Sequence, residues 1–508
     1  MAPITLRELV AATPGARLAA GDAALRITRL THDSRACQPG DLFVALPGRN
    51  HDGVAFVPQA VGRGAVAVVS EREPATSQMA WMVVPNARRA LADLAAALHG
   101  YPSEHLRLIG VTGTDGKTTT TRIIALLLDA AGQPCGWSTT TDRRIGGEIQ
   151  PNAEERTTPE ADRVQALLAV ARDAGDRYVV FEASSHALAQ ERLRACSFDV
   201  GVFTNLSPEH LEFHGSMEEY LAAKARLFVM LGEPTSKDGP RYAVLNADDP
   251  ASAELARRCP VPSLTYSLRG SADVWASQLE ESPAGLRLVV ETAEGTWPLQ
   301  TRFIGRHNAS NWLAAVTVAL REGVGAETIQ AAAPRISPPP GRLEAVDLGQ
   351  PFGVYVDFAH TPQALRAALA AARAAARGRV LLAFGHAGGR TAANRPELGA
   401  IAARGANYFL ITTDDAYPEE PAAIAAAIES GARAAGARPG QQYEICLDRR
   451  EAIGRLVRAA RPGDVVLLAG MGHETSLRVR EVADPWSDVA EARLALEQCG
   501  YGRREGGS

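Results

Sequence analysis

The stretch Gly110-Val-Thr-Gly-Thr-Asp-Gly-Lys-Thr118 decides how the rest of this chain is read. An apolar run, LRLIGV, leads into it, and TTTTRIIALLLDAAG follows, with apolar residues at helical spacing as far as Gly132. Strand, glycine turn and helix in that order predict an α/β unit whose loop N–H groups and helix N-terminus surround an anion. The strict pattern GxxxxGK[ST] is not met, because Val111 stands where its first glycine belongs and the glycines are Gly110, Gly113 and Gly116. A plain glycine turn is the alternative, but Gly-Lys-Thr between an apolar strand and a helix favours a nucleotide. Lys117 is then the residue that reaches the outer phosphates, and the Thr118 hydroxyl a magnesium ligand.

Working outward, β-prone runs recur at YVVFEA, FDVGVFTN and RYAVLN with helical material between them, so a mostly parallel sheet is expected, with an antiparallel patch from ADVWAS to WPLQTRF. Glu182 ends the first of these runs, and the second leads into FTNLSPEHLEFHG and His210. A carboxylate and an imidazole at adjacent strand ends could hold a second magnesium, although either taken singly also reads as an ordinary surface group. Beyond the proline cluster SPPPG, the runs GVYVDFA, RVLLAFG, YFLITTDD, YEICLD and DVVLLAG alternate with helical stretches, the pattern of a doubly wound domain. Asp357, His360, Arg390, Asp414, Asp415, His473 and Glu474 fall just past those strands, on the edge where open α/β sheets bind ligands. Before the first punctuated stretch, HGYPSEH, short strands such as DLFVAL and AVAVVS alternate with alanine-rich helices. Three domains are expected, at 1–102, 103–340 and 341–508, in keeping with 508 residues at about 150 per domain.

Composition narrows the partners. Apolar residues make up 46% and charged residues 22%, which excludes a disordered or collagen-like chain, and a net charge of −5 gives no overall basic field for nucleic acid or an anionic membrane. No apolar run approaches the roughly 20 residues of a membrane helix, and the start lacks a secretory pattern, so a cytoplasmic protein is expected. The six cysteines lack CxxC spacing, which argues against a disulfide framework or a zinc site. Only three of the 53 basic residues are lysine: Lys117, Lys224 and Lys237. Lys237 lies in the loop PTSKDGP and reads as surface; Lys224 lies within a helical pattern, where a retained lysine can mark a need for a modifiable amine that arginine cannot supply.

The segments GTDGKTTTT, TTP, EASSHAL, FTNLSPEHLEFHG and AAKARLF resemble the Mur ligases of peptidoglycan synthesis. The resemblance spans the chain: DSRACQPGDLFVALPGRNHDG is similar to the family's UDP-binding first domain, GRHNASN and PPGRLE to its nucleotide-contacting segments, and VDFAHTP and GMGHE to its Rossmann-like C-terminal domain. Within the family, the match is best to members that add the third peptide residue. The resemblance implies a three-domain α/β architecture and a monomeric enzyme that uses ATP and magnesium to join UDP-MurNAc-L-Ala-D-Glu to a free amino acid through an acyl phosphate. It implies catalytic roles for Lys117, Glu182, His210 and Lys224, with Thr118, Glu182, His210 and Lys224 at metal positions and Lys224 carbamylated to N6-carboxylysine. ATP contacts fall on Gly113, Thr114, Gly116, Lys117, Thr118, Thr119, Asn308, Asn311, Arg342 and Asp357, with His360 lining the same cleft. Contacts to the sugar nucleotide fall on Ser34, Thr157, Thr158, Ser184, Gln190 and Arg192, and contacts to the amino acid on Arg390, Asp415, Gly470 and Glu474.

The departures from the family pattern cluster at the amino acid. Members that use meso-diaminopimelate carry Asp-Asn-Pro-Arg, whose arginine can fork onto the distal carboxylate, whereas this chain reads Asp414-Asp415-Ala416-Tyr417-Pro418. A distal carboxylate would lie there without that fork, so lysine or ornithine is expected over meso-diaminopimelate. Glu419 and Glu420 either hold a terminal ammonium or simply precede the helix that begins at Pro421. Two other functions stay open: a related amide ligase of another pathway, and a nucleotide-binding scaffold whose activity has decayed.

Overall fold

The computed structural model describes residues 3–48, 52–74, 79–152, 154, 156–480 and 482–502. Arg49, Asn50 and His51 of DSRACQPGDLFVALPGRNHDG lie outside them. Three sheets organise the chain. An eleven-stranded central sheet has the strand Arg107–Thr112 near its middle, flanked in parallel by Tyr178–Glu182 on one side and Val200–Phe203 on the other. Parallel pairing continues outward to Cys135–Ser138 on one side and through Tyr242–Asn246, Ser263–Ser267 and Val274–Ser282 on the other. The expected antiparallel patch is the meander Val274–Ser282, Gly285–Thr292 and Gly295–Thr301. Glu182 and the approach to His210 therefore do not end adjacent strands, as the sequence suggested; they flank the phosphate-loop strand from either side.

Both faces of the parallel part of this sheet are covered, so its strands there are apolar on both sides. Val111 and Val180 pack under Ile124 and Leu128 of the helix Lys117–Ala130 and Trp312 of the helix Arg306–Arg321. Val179 and Phe181, pointing to the other face, pack with Leu168, Leu227 and Phe228 from the helices Ala161–Ala174 and Met217–Met230.

The N-terminal region forms a five-stranded sheet of strands between Arg17 and Val83. After Gly341 comes a six-stranded sheet, parallel apart from the edge strand Glu344–Ala345. Its strands Gly353–Asp357, Val380–Phe384, Tyr408–Ile411, Tyr443–Ile445 and Val465–Ala469 are the five runs read from the sequence. Arg449, fully buried, forks onto Asp488 at 2.6 and 2.7 Å and donates to the Thr413 and Ala469 carbonyls, tying together the strand ends that carry the polar rim.

One lysine departs from its sequence reading. The Lys237 side chain is only 9% exposed: its ammonium meets Asp199 Oδ2 at 2.5 Å and donates to the carbonyls of Leu106 and Ser197. It neutralises a carboxylate under the sheet that loop composition could not reveal. Among the described residues no helix is long and apolar enough to cross a membrane, and the cysteines are free thiols.

Candidate active site

The phosphate-type loop owes its shape to two glycines. Gly113 has φ 147° and Gly116 φ 84°. A Cβ on Gly113 would collide with Thr204 Oγ1, and one on Gly116 with Asn311 Oδ1. Neighbouring segments hold the turn: Thr114 N–H donates to the Asn205 carbonyl (2.8 Å) and Asp115 N–H to Asn205 Oδ1 (2.9 Å). Behind it, Thr120 Oγ1 donates to Asn311 Oδ1 at 3.3 Å, and Asn311 Nδ2 to Asn308 Oδ1 at 3.0 Å, so both asparagines brace the loop. Lys117 folds over the turn, its ammonium donating to the carbonyls of Thr114 (2.6 Å) and Gly113 (3.1 Å).

Glu182 is the hub beside this loop. Register places it opposite Val111, and its buried carboxylate accepts from Thr118 Oγ1 (2.7 Å), Thr140 N–H (2.8 Å) and Thr140 Oγ1 (3.1 Å). Thr140 Oγ1 also reaches Thr157 Oγ1 at 3.1 Å, while Thr158 Oγ1 donates to the Glu182 carbonyl at 2.6 Å and lies 3.1 Å from Ser184 Oγ. Arg192 donates to the Thr158 carbonyl (3.0 Å) and to Gln190 Oε1 (2.7 Å). Thr157, Thr158, Ser184, Gln190 and Arg192 thus form one hydrogen-bonded wall that leads to Glu182. Ser34 stands apart, donating to Gln59 Oε1 at 2.6 Å in the N-terminal lobe, while His32 of that lobe meets Asp162 of the central one at 3.1 Å.

On the other side of the loop, Lys224 is 1% exposed. Its amine donates to the Gly113 carbonyl at 2.7 Å and lies 4.2 Å from the centre of the Tyr220 ring, whose hydroxyl is 3.2 Å from Thr114 Oγ1. Desolvation, reinforced by Lys117, holds this amine well below the ordinary lysine range and so favours the uncharged, nucleophilic form. His210, at φ 56°, stands between Glu209 and Glu212 and packs edge-on to His186 at 4.6 Å. Desolvation depresses its imidazole, with Glu209 opposing and Lys117 assisting. Glu209 itself remains an easily ionised carboxyl: its burial is outweighed by His210, Lys117, His360 and Lys224. Sequence reading did not single out Thr140, Glu209 or Tyr220. Thr140, within the polar run after the strand Cys135–Ser138, carried a positional signal; Tyr220 and Glu209 gain significance only through what folds against them.

The C-terminal lobe adds a second wall. Asp357 accepts from the N–H groups of Leu343 (2.8 Å) and Ala359 (2.9 Å), and desolvation pushes its carboxyl up to about 6 despite Arg342. The Arg342 guanidinium lies 4.8 Å from the centre of the Phe358 ring, which also packs against His473. Asp115, in the phosphate loop, is raised by desolvation and Glu209, against the pull of Lys117, His360 and Arg342, so groups of both the central and the C-terminal lobe act on it.

At the amino-acid end, Asp415 Oδ1 accepts from Arg478 N–H at 2.7 Å, and desolvation raises the carboxyls of Asp414, Asp415 and Glu474. Gly470 lies against Asp414 Oδ2, with no room for a side chain, and Arg390 is exposed on its loop. Glu419 forks onto Arg395 at 2.8 and 3.0 Å and accepts from Gly389 N–H at 2.7 Å, contacts that hold its carboxyl at about 2. Glu420 pairs with Arg480 at 2.6 Å. Both carboxylates are engaged in the loop's own architecture.

A phosphate-type loop, a buried lysine behind it and a doubly wound lobe beside it are the features of a class of three-lobed ligases. Residues 26–99 match the Mur ligase family catalytic domain, 111–319 the Mur ligase middle domain, and 341–472 the Mur ligase, glutamate ligase domain. The chain belongs to the Mur ligase family, and is an enzyme of that class. It is 45% identical over 487 residues to a UDP-N-acetylmuramyl-tripeptide synthetase from a Roseiflexus species, covering 94% of this chain and 96% of that one. It is 41% identical over 472 residues to a UDP-N-acetylmuramoyl-L-alanyl-D-glutamate--2,6-diaminopimelate ligase from Geobacillus thermodenitrificans, covering 93% and 95%. Among solved structures, one of a UDP-N-acetylmuramoyl-L-alanyl-D-glutamate--2,6-diaminopimelate ligase superposes with a TM-score of 0.69 at 30% identity, covering 98% of this chain and 100% of the other.

Proposed function

We propose that the chain is an ATP-dependent tripeptide synthetase, a monomer with lobes at 1–102, 103–340 and 341–508, that joins a diamino acid to the D-glutamate carboxyl group of UDP-MurNAc-L-Ala-D-Glu. The observation that carries this reading is Lys224: a buried, readily neutral amine bonded to the same loop carbonyl, Gly113, that Lys117 touches. A neutral amine adds CO₂ and loses a proton, turning a buried nitrogen into a carboxylate beside the phosphates.

The proposed chemistry runs in two steps. A carboxylate oxygen attacks the γ-phosphorus of ATP and ADP leaves; the amino group of the acceptor then attacks the acyl carbon and phosphate leaves, the amine proton passing to solvent or a base. The first step brings two anions together, so charge must be screened and geometry fixed. Lys117 supplies a mobile cation that can leave its loop carbonyls for the outer phosphates. The wall from Arg192 through Thr158 to Glu182 orients the sugar nucleotide so that its terminal carboxylate faces the loop. Arg342 and Asp357 hold the nucleotide, with Phe358 and His473 as its flat boundary, while Asn308 and Asn311 keep the loop beneath its phosphates in shape.

Among the described residues no three His, Cys, Asp or Glu side chains form a ready-made metal cage. The residues fit magnesium nonetheless, because that ion takes one or two protein oxygens together with substrate phosphates, and Thr118 and Glu182 place a hydroxyl and a carboxylate in contact at 2.7 Å. The second magnesium expected from the sequence would draw on His210 and carbamylated Lys224, with Glu182. When bound, the ion screens the phosphate charge from the attacking carboxylate.

For the acceptor, Tyr417 occupies the loop in place of a carboxylate-gripping arginine, and Glu419 and Glu420 are already paired. Asp415 and Glu474, whose raised carboxyls would gain from a cation, suit the ammonium of lysine or ornithine. The test is phosphate release by the purified enzyme with ATP, the UDP-dipeptide and lysine, ornithine or meso-diaminopimelate. Release should require all three substrates and be fastest with lysine or ornithine; strong preference for meso-diaminopimelate would overturn the acceptor assignment, and release without an acceptor the ligase reading.

A further inference from the structure

The segment between the strand Val200–Phe203 and the helix Met217–Met230 carries His210, yet its acidic residues reach away from it to the C-terminal lobe, and the chemistry above leaves them without a task. Glu209 Oε1 lies 3.7 Å from His210 Nε2 and 3.9 Å from His360 Nε2, with its side chain 17% exposed. Glu212 Oε1 lies 3.8 Å from His210 Nδ1, and its Oε2 accepts from Thr391 Oγ1 at 3.4 Å. One imidazole is thus bracketed at both nitrogens by carboxylates that each also contact the opposite lobe. His360 follows the strand Gly353–Asp357, and Thr391 follows Arg390 directly. His210 itself has left-handed backbone, φ 56°, a conformation uncommon outside glycine.

We propose that Glu209 and Glu212 are positioning residues that latch the C-terminal lobe over the phosphate site through His360 and Thr391. The latch brings the Arg390 loop to the acyl group while His210 is held in place; it rests on the roles given to His210 and Arg390 under the ligase reading. Each contact is long and weak by itself. Their leverage is geometric, because a contact between two lobes sets the distance between whole bodies and hence between the two reacting groups.

The experiment is a double-mutant cycle in the full chain with Glu209→Gln and His360→Gln, and a second with Glu212→Gln and Thr391→Val. Steady-state constants are measured for ATP and for the acceptor, and small-angle scattering with ADP, magnesium and the UDP-dipeptide reports lobe closure. Glu209→Gln should raise KM for the acceptor about tenfold while KM for ATP stays within about threefold, and the double variant should be no worse than the worse single one. Its scattering profile should be more open than that of the parent. Additive losses, an equal loss of ATP affinity, or an unchanged scattering profile would overturn the latch. Absence of ligation in the parent enzyme would instead overturn the activity assigned to it, while the scattering comparison would still decide the latch.

Discussion

Replacing Lys224 by methionine removes the amine while keeping a linear side chain of similar volume. The side chain is buried, with one hydrogen bond to the Gly113 carbonyl and the Tyr220 ring beneath it. Losing that bond leaves a buried carbonyl less well satisfied, at about 1–3 kcal/mol, and removing a desolvated amine returns part of it, so net stability should change by about 1 kcal/mol. Catalysis should suffer far more. An electrostatic group aimed at developing charge is worth about a hundred- to thousandfold in turnover, so kcat should fall by about 3–4 kcal/mol in barrier terms. Lys224→Arg should fail as well, because guanidinium stays protonated and cannot take up CO₂, and its extra bulk strains the site. The assay is coupled ADP release beside thermal unfolding, repeated in CO₂-depleted buffer with and without bicarbonate. The parent should slow on depletion and recover with bicarbonate, and the methionine variant should respond to neither. A folded methionine variant that retains more than about a third of parental kcat would refute the reasoning.

Lys237→Met should leave Asp199 buried with Arg107 at 3.5 Å and the Leu108 N–H at 2.7 Å as its remaining partners, and cost about 3 kcal/mol in chemical denaturation while kcat stays unchanged in the folded fraction. Glu182→Gln keeps the hub's shape but removes its charge; kcat/KM should drop about a hundredfold with little change in melting temperature. The imidazoles of His186, His214, His386 and His473 are all depressed chiefly by desolvation, to about 3, 4, 4 and 3. The unfolded chain binds those protons first, so stability should be full above about pH 6.5 and fall progressively toward pH 4, and urea midpoints measured across that window should decline. Tyr417→Arg should raise kcat/KM for meso-diaminopimelate relative to lysine by about tenfold, read from competition between the two acceptors.

The alternation of apolar runs and helical stretches was enough to place the parallel strands of the C-terminal sheet and those around the phosphate loop, because a parallel sheet covered on both faces leaves an uninterrupted apolar signature; the polar strands Cys135–Ser138 and Ser263–Ser267 carried no such signature and went unread. The chemistry at Gly113–Thr118 was legible for a similar reason: a glycine turn feeding a helix is a local device whose parts are contiguous. Lys224 was legible only as an anomaly, one of three lysines in an arginine-rich chain.

Tertiary structure decided what depends on neighbours distant in sequence. It set Glu182 and the His210 segment on opposite sides of the phosphate-loop strand, since strand order follows from crossovers that local composition does not encode. It buried Lys237, whose loop looks solvent-facing until Asp199 is seen beneath it, and it occupied Glu419 with Arg395, removing a carboxylate from the amino-acid site. It also gave Glu209 a place between lobes. Burial and pairing are sums over residues brought together by the whole fold, so a side chain's charge state and reach emerge only when those partners are in position.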